Sequence, residues 1–316
     1  MSQGGHQMNS PSMIPDLARR IAGIVTDMIV EIRPRLVDAA LTGRRAENEN
    51  LRHEDNFLSD YDLWMHQRYK QLLTEHIPAF IYASEEADPE IIGNQPNPDL
   101  CVLVDPLDTS ELAVRGLHGY THIMVYSRTL ARPIIAVVGD IFHHIQLYIA
   151  ARDSKGQDRA FMVTADNTEH ILNRPSQANV TAALVTNYLM RPDERFAPLA
   201  HQQQLLAVLS ATSSDGKKKG RIGVDFGSVS LCHVAAGFTD ATIEFAKGFA
   251  IWDLAPGHYI LHAAGGTVID LHGTPVPLDY NLDSLAQINA AMRTRQKFIA
   301  AGNIDLANDI QATLHR

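Results

Sequence analysis

Apolar residues recur at helical spacing through the first stretch of the chain, residues 13–42. The positions are Ile14, Leu17, Ile21, Ile24, Val25, Met28, Ile29, Ile32 and Leu36. This period of three to four residues predicts a scaffold helix. Ser12 is its expected cap, and Pro34 is expected to kink or break it. The polar residues that follow, 43–55, predict a loop or lid.

A second helix is predicted from residue 60 to about Ile77, because Pro78 cannot continue it. Ser59 or Asp60 is the expected cap of this helix. Strands are indicated by short apolar runs between turn residues. They are predicted at residues 80–83, 100–104, 120–129, 133–142, 145–151, 161–164 and 170–172. The middle three are joined by short turns, so we expect them to be antiparallel neighbours.

The pattern changes after a polar segment that contains proline, residues 174–180. Beyond it strands alternate with helices, which is typical of an α/β unit. The expected strands are 180–185, 241–245, 268–271 and 297–301, and the expected helices are 193–211, 229–237, 252–264 and 304–314. Pro256 is expected in the first turn of the third of these helices, where proline is tolerated. We therefore predict a disordered tail (1–12), an N-terminal α+β domain (13–176) and a C-terminal α/β domain (177–316).

Composition and charge narrow the class of protein. The 316 residues are 45% hydrophobic and 20% charged, which is typical of a globular enzyme with a large core. The net charge of −9, with basic residues spread along the chain, argues against a nucleic-acid polymer as partner. No apolar run reaches membrane-spanning length, and no signal peptide is visible, so we expect a cytoplasmic protein. Cys101 and Cys232 lie in apolar runs and are expected to be reduced and buried.

The stretch with the most chemistry is residues 101–111. An apolar strand ends at Asp105, a turn carries Asp108, and Thr109 and Ser110 open a helix. Two carboxylates beside the backbone N–H groups of a helix start suggest a magnesium ion next to an anion site. The alternative is that Asp108 only caps the helix and Asp105 is solvated. This segment alone does not separate the two interpretations.

Other acids occupy similar positions, and each has a simple structural explanation. Asp62 fits the first turn of a helix, the acids at 85 and 86 fit a surface turn, and Asp253 fits an N-cap. His118 and His122 lie near the predicted site, but no zinc-ligand spacing surrounds them. We interpret these two histidines as packing or substrate-edge residues.

Four motifs in this order resemble the inositol monophosphatase family. They are Asn-Phe-Leu-Ser-Asp-Tyr-Asp (56–62), Ser-Glu-Glu (84–86), Val-Asp-Pro-Leu-Asp-Thr-Ser (104–110) and Trp-Asp-Leu-Ala-Pro-Gly (252–257). The family consists of magnesium-dependent, lithium-sensitive phosphomonoesterases, and it includes fructose-1,6-bisphosphatases and 3'(2'),5'-bisphosphate nucleotidases. The resemblance implies a layered α/β/α/β/α sandwich, two or three Mg²⁺ ions per subunit and a homodimer.

The resemblance also assigns roles to residues. It implies catalytic roles for Asp62 and Ser110, which would orient the attacking water, and for Glu85, near a third and weaker ion. The implied metal ligands are Glu85, Asp105, the Leu107 carbonyl, Asp108 and Asp253. The implied substrate-binding residues are Asp108, Thr109, Ser110, Gly227, Ser228, Lys247 and Asp253, with the amides of Thr109 and Ser110 around the phosphate.

Physical chemistry favours the same grouping. A phosphate monoester carries two negative charges near neutral pH, so clustered carboxylates alone would repel both the ester and hydroxide. Divalent cations reverse the local charge, lower the pKa of bound water and stabilise the leaving alkoxide. Without such ions, converging acids would destabilise one another. Together with the resemblance, this predicts a magnesium-dependent phosphatase acting on a small sugar, cyclitol or nucleotide phosphate.

Several positions depart from the family pattern. Thr109 stands where the family usually has glycine, and Asn56 stands where an aspartate usually opens the first motif. Lys247 stands near the place of a glutamate that binds a substrate hydroxyl, while Glu244 lies two residues away from that place. We expect Lys247 either to bind a second anionic group or to be an exposed lysine at a strand end. An alternative function is a catalytically weak or silent family member that binds a phosphorylated ligand.

Overall fold

The computed structural model describes residues 12–52, 56–173 and 178–314. The predicted disordered tail, apart from Ser12, lies outside the described residues. Part of the predicted domain boundary, residues 174–177, also lies outside them. In the described ranges no helix has the length and apolar character needed to cross a bilayer.

Two helices near the N-terminus cover one face of the structure. Helix α1 is Asp16–Thr42 and helix α2 is Asp60–His76. Pro34 was expected to kink or break α1; it lies inside the helix without ending it, so a break at Pro34 is wrong, while a kink there stays a prediction. The cap of α1 is Pro15 rather than Ser12, and the helix ends at Gly43, whose φ of 70° suits glycine. Ser59 caps α2, as predicted.

The larger sheet follows these helices. Its strands are β3 (Ala79–Ser84), β4 (Ala87–Gly93), β5 (Leu100–Asp108), β6 (Tyr120–Ser127), β7 (Arg132–Asp140), β8 (Ile145–Arg152), β9 (Asp158–Thr164) and β10 (Glu169–Leu172), after a small β1–β2 pair, Glu47–Asn48 with Leu58–Ser59. The spatial order is β10-β9-β8-β7-β6-β5-β3-β4. Only β3 and β5 are parallel neighbours within this described sheet. The expected antiparallel strands β6, β7 and β8 are confirmed.

The smaller sheet comes from the second half of the chain. Its strands are β11 (Leu184–Asn187), β12 (Arg221–Val224), β13 (Ala241–Ala250), β14 (Thr267–Ile269) and β15 (Arg295–Ala301), in the order β12-β11-β13-β15-β14. A short helix, α3 (Ser110–Ala113), follows β5 in the first half of the chain. The helices of the second half are α4 (Ala197–Ala200), α5 (Gln203–Leu209), α6 (Gly227–Ala236), α7 (Ile251–Ala263), α8 (Leu285–Met292) and α9 (Ile304–Thr313). The two sheets divide the chain between Leu172 and Leu184, and the assignment of two domains remains a prediction.

Three buried apolar clusters stack these elements in layers. The first joins α1 and α2 to one face of the large sheet. The second places α6 and α7 between the two sheets, with Tyr126 and Tyr148 on one side and Phe298 on the other. The third packs α5 and α9 on the outer face of the small sheet. This is the predicted α/β/α/β/α sandwich, which is thereby confirmed.

Two predicted helices differ from the structure. The single helix expected at 193–211 is a π-helical turn, Pro192–Phe196, followed by α4 and α5. Pro198, at the start of α4, has no N–H to continue a preceding helix, so a new helix begins there. Pro256 lies in the second turn of α7 rather than in its first, because α7 begins at Ile251.

Gly257 allows α6 and α7 to cross closely, and this gives a prediction. A Cβ at Gly257 would lie 2.4 Å from the Ser228 carbonyl oxygen. We expect Gly257→Ala to lower the free energy of unfolding by about 1–3 kcal/mol through overpacking. Gly23→Ala is the matched control, since Gly23 is exposed on α1 with nothing within 4 Å, and should raise stability by up to about 1 kcal/mol. Equal effects of the two changes in urea unfolding would contradict this account.

Candidate active site

One cavity, of about 230 Å³, gathers most of the predicted site residues. Its lining includes Glu85, Asp105, Leu107, Asp108, Thr109, Ser110, Gly227, Lys247 and Asp253. The acids at 85, 105 and 108 come from strands of the large sheet or the turn after one, while Asp253 comes from α7. Asp62 and Ser228 are not part of this lining, although each contacts a residue that is. Acids distant in sequence therefore meet in one small space.

Strand β5 extends through the predicted turn and reaches Asp108. Its pairing with β6 shifts register between Asp105 and Asp108, where residues 106 and 107 have no paired partner. Such an irregularity re-aims side chains at a sheet end. It turns both aspartates and Leu107 toward the cavity, so the expected strand end at residue 104 is wrong by four residues.

Thr109 adopts a backbone conformation that normally belongs to glycine. Its φ is 61° and its ψ is 39°, in the left-handed region, and its hydroxyl donates to the Asp108 carbonyl at 2.6 Å. A β-branched residue is unusual there, and the conformation costs roughly 1–2 kcal/mol. The chain thus keeps the turn that glycine would form, at the expense of local strain.

Gly227 is the second place where a backbone approaches the acids closely. It begins α6 with a φ of 40°, and a Cβ there would lie 1.7 Å from Asp108 Oδ2. Glycine is therefore required for Asp108 to hold its position. Ser228 stabilises the same corner, because its hydroxyl donates to the Asp253 carbonyl and accepts from the Gly257 N–H at 3.3 Å.

The carboxyl groups of the cavity are difficult to ionise together. Burial raises the pKa of Asp105 well above its usual range, and the charges of Glu85 and Asp108 raise it further. Burial likewise raises the pKa of Glu85, with additional effects of Glu86 and Asp253. Burial and then Asp108 raise the pKa of Asp253 to about 7. The folded chain therefore holds protons on this group at pH values where free carboxyl groups have lost theirs.

The donor set fits a hard divalent cation. Asp105 is 2% exposed, and its Oδ1 atom has no hydrogen-bond partner among the described residues. An unpaired buried carboxylate oxygen is costly unless an ion satisfies it. Glu85, Asp108, Asp253 and the Leu107 carbonyl supply further oxygen atoms around the same cavity. Oxygen ligands of this type suit magnesium.

Asp62 makes a helix-capping contact with one carboxylate oxygen and contacts Ser110 with the other. Its Oδ2 accepts from the Ser59 N–H at 2.8 Å and from the Ser59 hydroxyl at 2.5 Å, which completes a capping box at the start of α2. Its Oδ1 accepts from the Ser110 hydroxyl, which also lies 2.7 Å from the Leu107 carbonyl. Burial raises the pKa of Asp62 to about 6, although these hydrogen bonds oppose the rise. Helix capping thus fixes Asp62 against Ser110, at the wall of the cavity.

His122, which we interpreted from the sequence as a packing or substrate-edge residue, contacts the acids of the site directly. It is fully buried on β6, and its Nε2 lies 3.0 Å from Asp108 Oδ2 and 4.0 Å from Asp105 Oδ2. These three side chains form a group whose ligand atoms lie within 4.8 Å of one another. The strand register that places His122 opposite Asp105 is a long-range feature, so local spacing gave no signal for it.

Three basic residues of the cavity lining were not predicted. Arg191, Arg195 and Arg295 line the cavity together with the predicted Lys247. These four residues come from three places in the second half of the chain: the π-helical turn and the residue before it, β13 and the start of β15. The acids of the cavity thus come largely from the large sheet, and its basic residues come from the smaller sheet and its connections.

A family model for the inositol monophosphatase family matches residues 21–308. The chain therefore belongs to the inositol monophosphatase family. Family membership supports a phosphatase of small phosphorylated metabolites.

Similar proteins carry two kinds of name. Inositol-1-monophosphatase ImpA of Mycolicibacterium smegmatis is 36% identical over 102 residues, which are 32% of this chain and 33% of that protein. Nus factor SuhB of Xylella fastidiosa is 26% identical over 260 residues, 82% of each chain. The match to Nus factor SuhB of Pasteurella multocida, at 26% identity, covers 55% of this chain and 58% of that protein. The chain thus spans less than two thirds of the M. smegmatis and P. multocida relatives.

Solved structures share the fold. The suppressor protein SuhB of Bartonella henselae aligns with a TM-score of 0.63 at 18% identity, over 94% of this chain and 98% of that one. The Thermotoga maritima IMPase aligns with a TM-score of 0.61 at 13% identity, over 94% and 96%. At these identities the likeness shows the fold alone.

The left-handed conformation of Thr109 gives a stability prediction. Thr109→Gly removes the strain, and this gain offsets the larger conformational entropy that glycine has in the unfolded chain. Thr74→Gly makes the same chemical change at an exposed position of α2, where glycine is unfavourable. We expect Thr109→Gly to be more favourable than Thr74→Gly by about 1 kcal/mol or more in urea unfolding. Equal losses would show that the Thr109 conformation is not strained.

The raised pKa values give a prediction about pH and metal. Because Asp62 and Asp253 have folded pKa values of about 6 and 7, the folded state binds more protons than the unfolded state between about pH 4 and 7. The stability of the metal-free protein should therefore fall as pH rises through this window. Magnesium should restore it, so the shift in Tm caused by Mg²⁺ should be larger at pH 7.5 than at pH 5. A shift that is the same at both pH values, measured against EDTA, would contradict the proposed ion site.

Proposed function

We propose that the protein is a magnesium-dependent phosphatase that hydrolyses a phosphate monoester of a small metabolite. One observation carries the proposal: Glu85, Asp105, Asp108 and Asp253 line a single cavity, and one buried Asp105 oxygen has no partner among the described residues. Such a group is stable near neutral pH when cations lie among the acids. Family membership supports the same activity.

The proposed reaction is direct hydrolysis. The oxygen of a water molecule forms a bond to phosphorus while the ester P–O bond breaks, and the products are an alcohol and inorganic phosphate. The proton lost by the water balances the one gained by the leaving alkoxide. Bound magnesium would supply charge neutralisation and a lower pKa for water.

The residues of the chain would position the reactants. The Ser110 hydroxyl, held by Asp62, would orient the attacking water. The amides of Thr109 and Ser110 would bind the phosphate, while Glu85, Asp105, Asp108, Asp253 and the Leu107 carbonyl would hold the ions. Position and charge supply most of the rate enhancement in phosphoryl transfer. Magnesium as the ion, two or three ions per chain, the homodimer and the cytoplasmic location remain predictions.

The activity is tested by phosphate release from a panel of sugar, cyclitol and nucleotide phosphates, with and without Mg²⁺. We expect Asp105→Asn and Asp253→Asn to lower kcat/KM by more than about a hundredfold, because each removes a charged ligand. Asp60→Asn is the matched control, since Asp60 is an exposed acid of the Asp62 motif that does not line the cavity. Normal turnover in both site variants would refute the assigned roles.

A second function is favoured by one observation, the strained threonine in place of glycine at residue 109. A weak or silent family member would bind a phosphorylated ligand without hydrolysing it. Calorimetry in the presence of Mg²⁺ separates the two functions. Binding of a panel compound without phosphate release would favour the silent member, and restored turnover in Thr109→Gly would identify threonine as the cause.

A further inference from the structure

The cavity that holds the acids is also lined by basic residues. Arg191, Arg195, Lys247 and Arg295 belong to its lining, and we call these four residues the basic wall. In a cavity of about 230 Å³ a phosphate ester held at the acids would have the rest of its structure close to these residues. The composition of the wall therefore bears on the group that the substrate carries beside the reacting phosphate.

Glu244 is not available to bind a substrate hydroxyl. It is 1% exposed and does not line the cavity. Its Oε1 accepts the backbone N–H groups of Ala246, Lys247 and Gly248 at 3.0, 3.0 and 3.2 Å. These bonds fix the irregularity of β13 between residues 244 and 249, which carries Lys247 into the cavity. Glu244 therefore serves to position the Lys247 side chain.

Arg195 is held in a fixed orientation by two contacts. Its Nε donates to Glu244 Oε2 at 2.8 Å, and its guanidinium lies over the Tyr188 ring at 4.2 Å. Tyr188 also lines the cavity. A guanidinium that is already ordered loses little entropy when it binds an anion. Arg195 is thus prepared for binding rather than left as a mobile surface charge.

Arg191 sits at a strained point of the backbone. Its φ is 68° and its ψ is 86°, and a π-helical turn begins at the next residue. Strained residues and π-helical turns are found preferentially at functional sites. Here the irregular segment places both Arg191 and Arg195 on the cavity. The strained backbone at Arg191 therefore accompanies the placement of the Arg191 and Arg195 side chains on the cavity.

The charges of the wall are only partly compensated. Glu244 pairs with Arg195, while Glu194 pairs with Lys247 at 2.9 Å and lies 3.9 Å from Arg191. Arg295 and Arg195 also act on the charge of Asp253. The four cations therefore exceed these three acids by one positive charge, which is available to an anionic group of the substrate. The cavity of about 230 Å³ is smaller than most pockets for drug-sized ligands, so a sugar-sized molecule fits better than a nucleotide.

We infer that the substrate is a sugar-sized phosphate ester that carries a second anionic group, a phosphate or a carboxylate, and that the basic wall binds this group. The inference rests on the proposed function, since it assumes that the first phosphate lies at the acids. The part of the substrate beside the reacting phosphate would then be recognised through its charge rather than through neutral hydroxyl groups.

The test compares matched substrates and variants. A hexose bisphosphate is compared with the hexose monophosphate, and 6-phosphogluconate with glucose 6-phosphate, by kcat/KM for phosphate release. If the second anionic group is a phosphate, we expect kcat/KM to be at least tenfold higher for the hexose bisphosphate than for the monophosphate. If it is a carboxylate, we expect the same preference for 6-phosphogluconate over glucose 6-phosphate. Hydrogen bonds between charged groups have about this effect. Arg191→Gln and Lys247→Gln should each reduce this preference severalfold. Arg293→Gln is the control, since Arg293 is exposed and outside the cavity lining.

Each outcome decides a separate question. Equal turnover within both pairs, or a preference that both variants leave intact, would overturn the basic wall and leave the phosphatase proposal standing. A preference in only one pair identifies the second group as phosphate or carboxylate. If no compound releases phosphate, the proposed function fails, and calorimetry with the hexose bisphosphate then tests the wall directly. Binding that Arg191→Gln weakens about tenfold would support it, and no binding would overturn it.

Discussion

Repulsion between carboxylates in a small cavity is the constraint on which the site depends. Separate segments bring Glu85, Asp105, Asp108 and Asp253 to one cavity, although burial and mutual charge make ionisation of each group unfavourable. A fold tolerates such a cluster only if cations or protons neutralise it and if the scaffold is strong enough to hold it. The layered sandwich meets the second condition through a large apolar core on both sides of the acids.

The backbone next to the clustered acids is irregular or strained at several points. These points are the irregular end of β5, the left-handed Thr109 and the close approach of Gly227 to Asp108. All of them lie at the lining of the cavity. Asp62 lies outside the cavity lining but supports Ser110, because one of its oxygens caps α2 and the other accepts a hydrogen bond from the Ser110 hydroxyl. Elements that look like ordinary helix starts and strand ends are therefore coupled to the chemistry of the site.

The sequence was informative where the signal is local or periodic. The period of apolar residues predicted α1, a cap and a following proline predicted α2, and short apolar runs between turn residues predicted the strands of the large sheet other than β4. Joint occurrence of the acid motifs indicated the acids that line the cavity, since each motif lies at the end of a strand or the start of a helix. His122 could not be predicted in this way, because its contact with Asp108 depends on the register of two strands. Of the basic wall only Lys247 was predicted, since Arg191, Arg195 and Arg295 meet it only through tertiary structure.

The close crossing of α6 and α7 has a consequence for the position of Asp253. Asp253 lies one turn before Gly257, the residue at which the two helices touch, and the Ser228 hydroxyl holds the Asp253 carbonyl. Both helices are packed between the sheets. The placement of an acid in the cavity therefore depends on a contact between two backbones, and a substitution at that contact would displace the acid without changing any polar group.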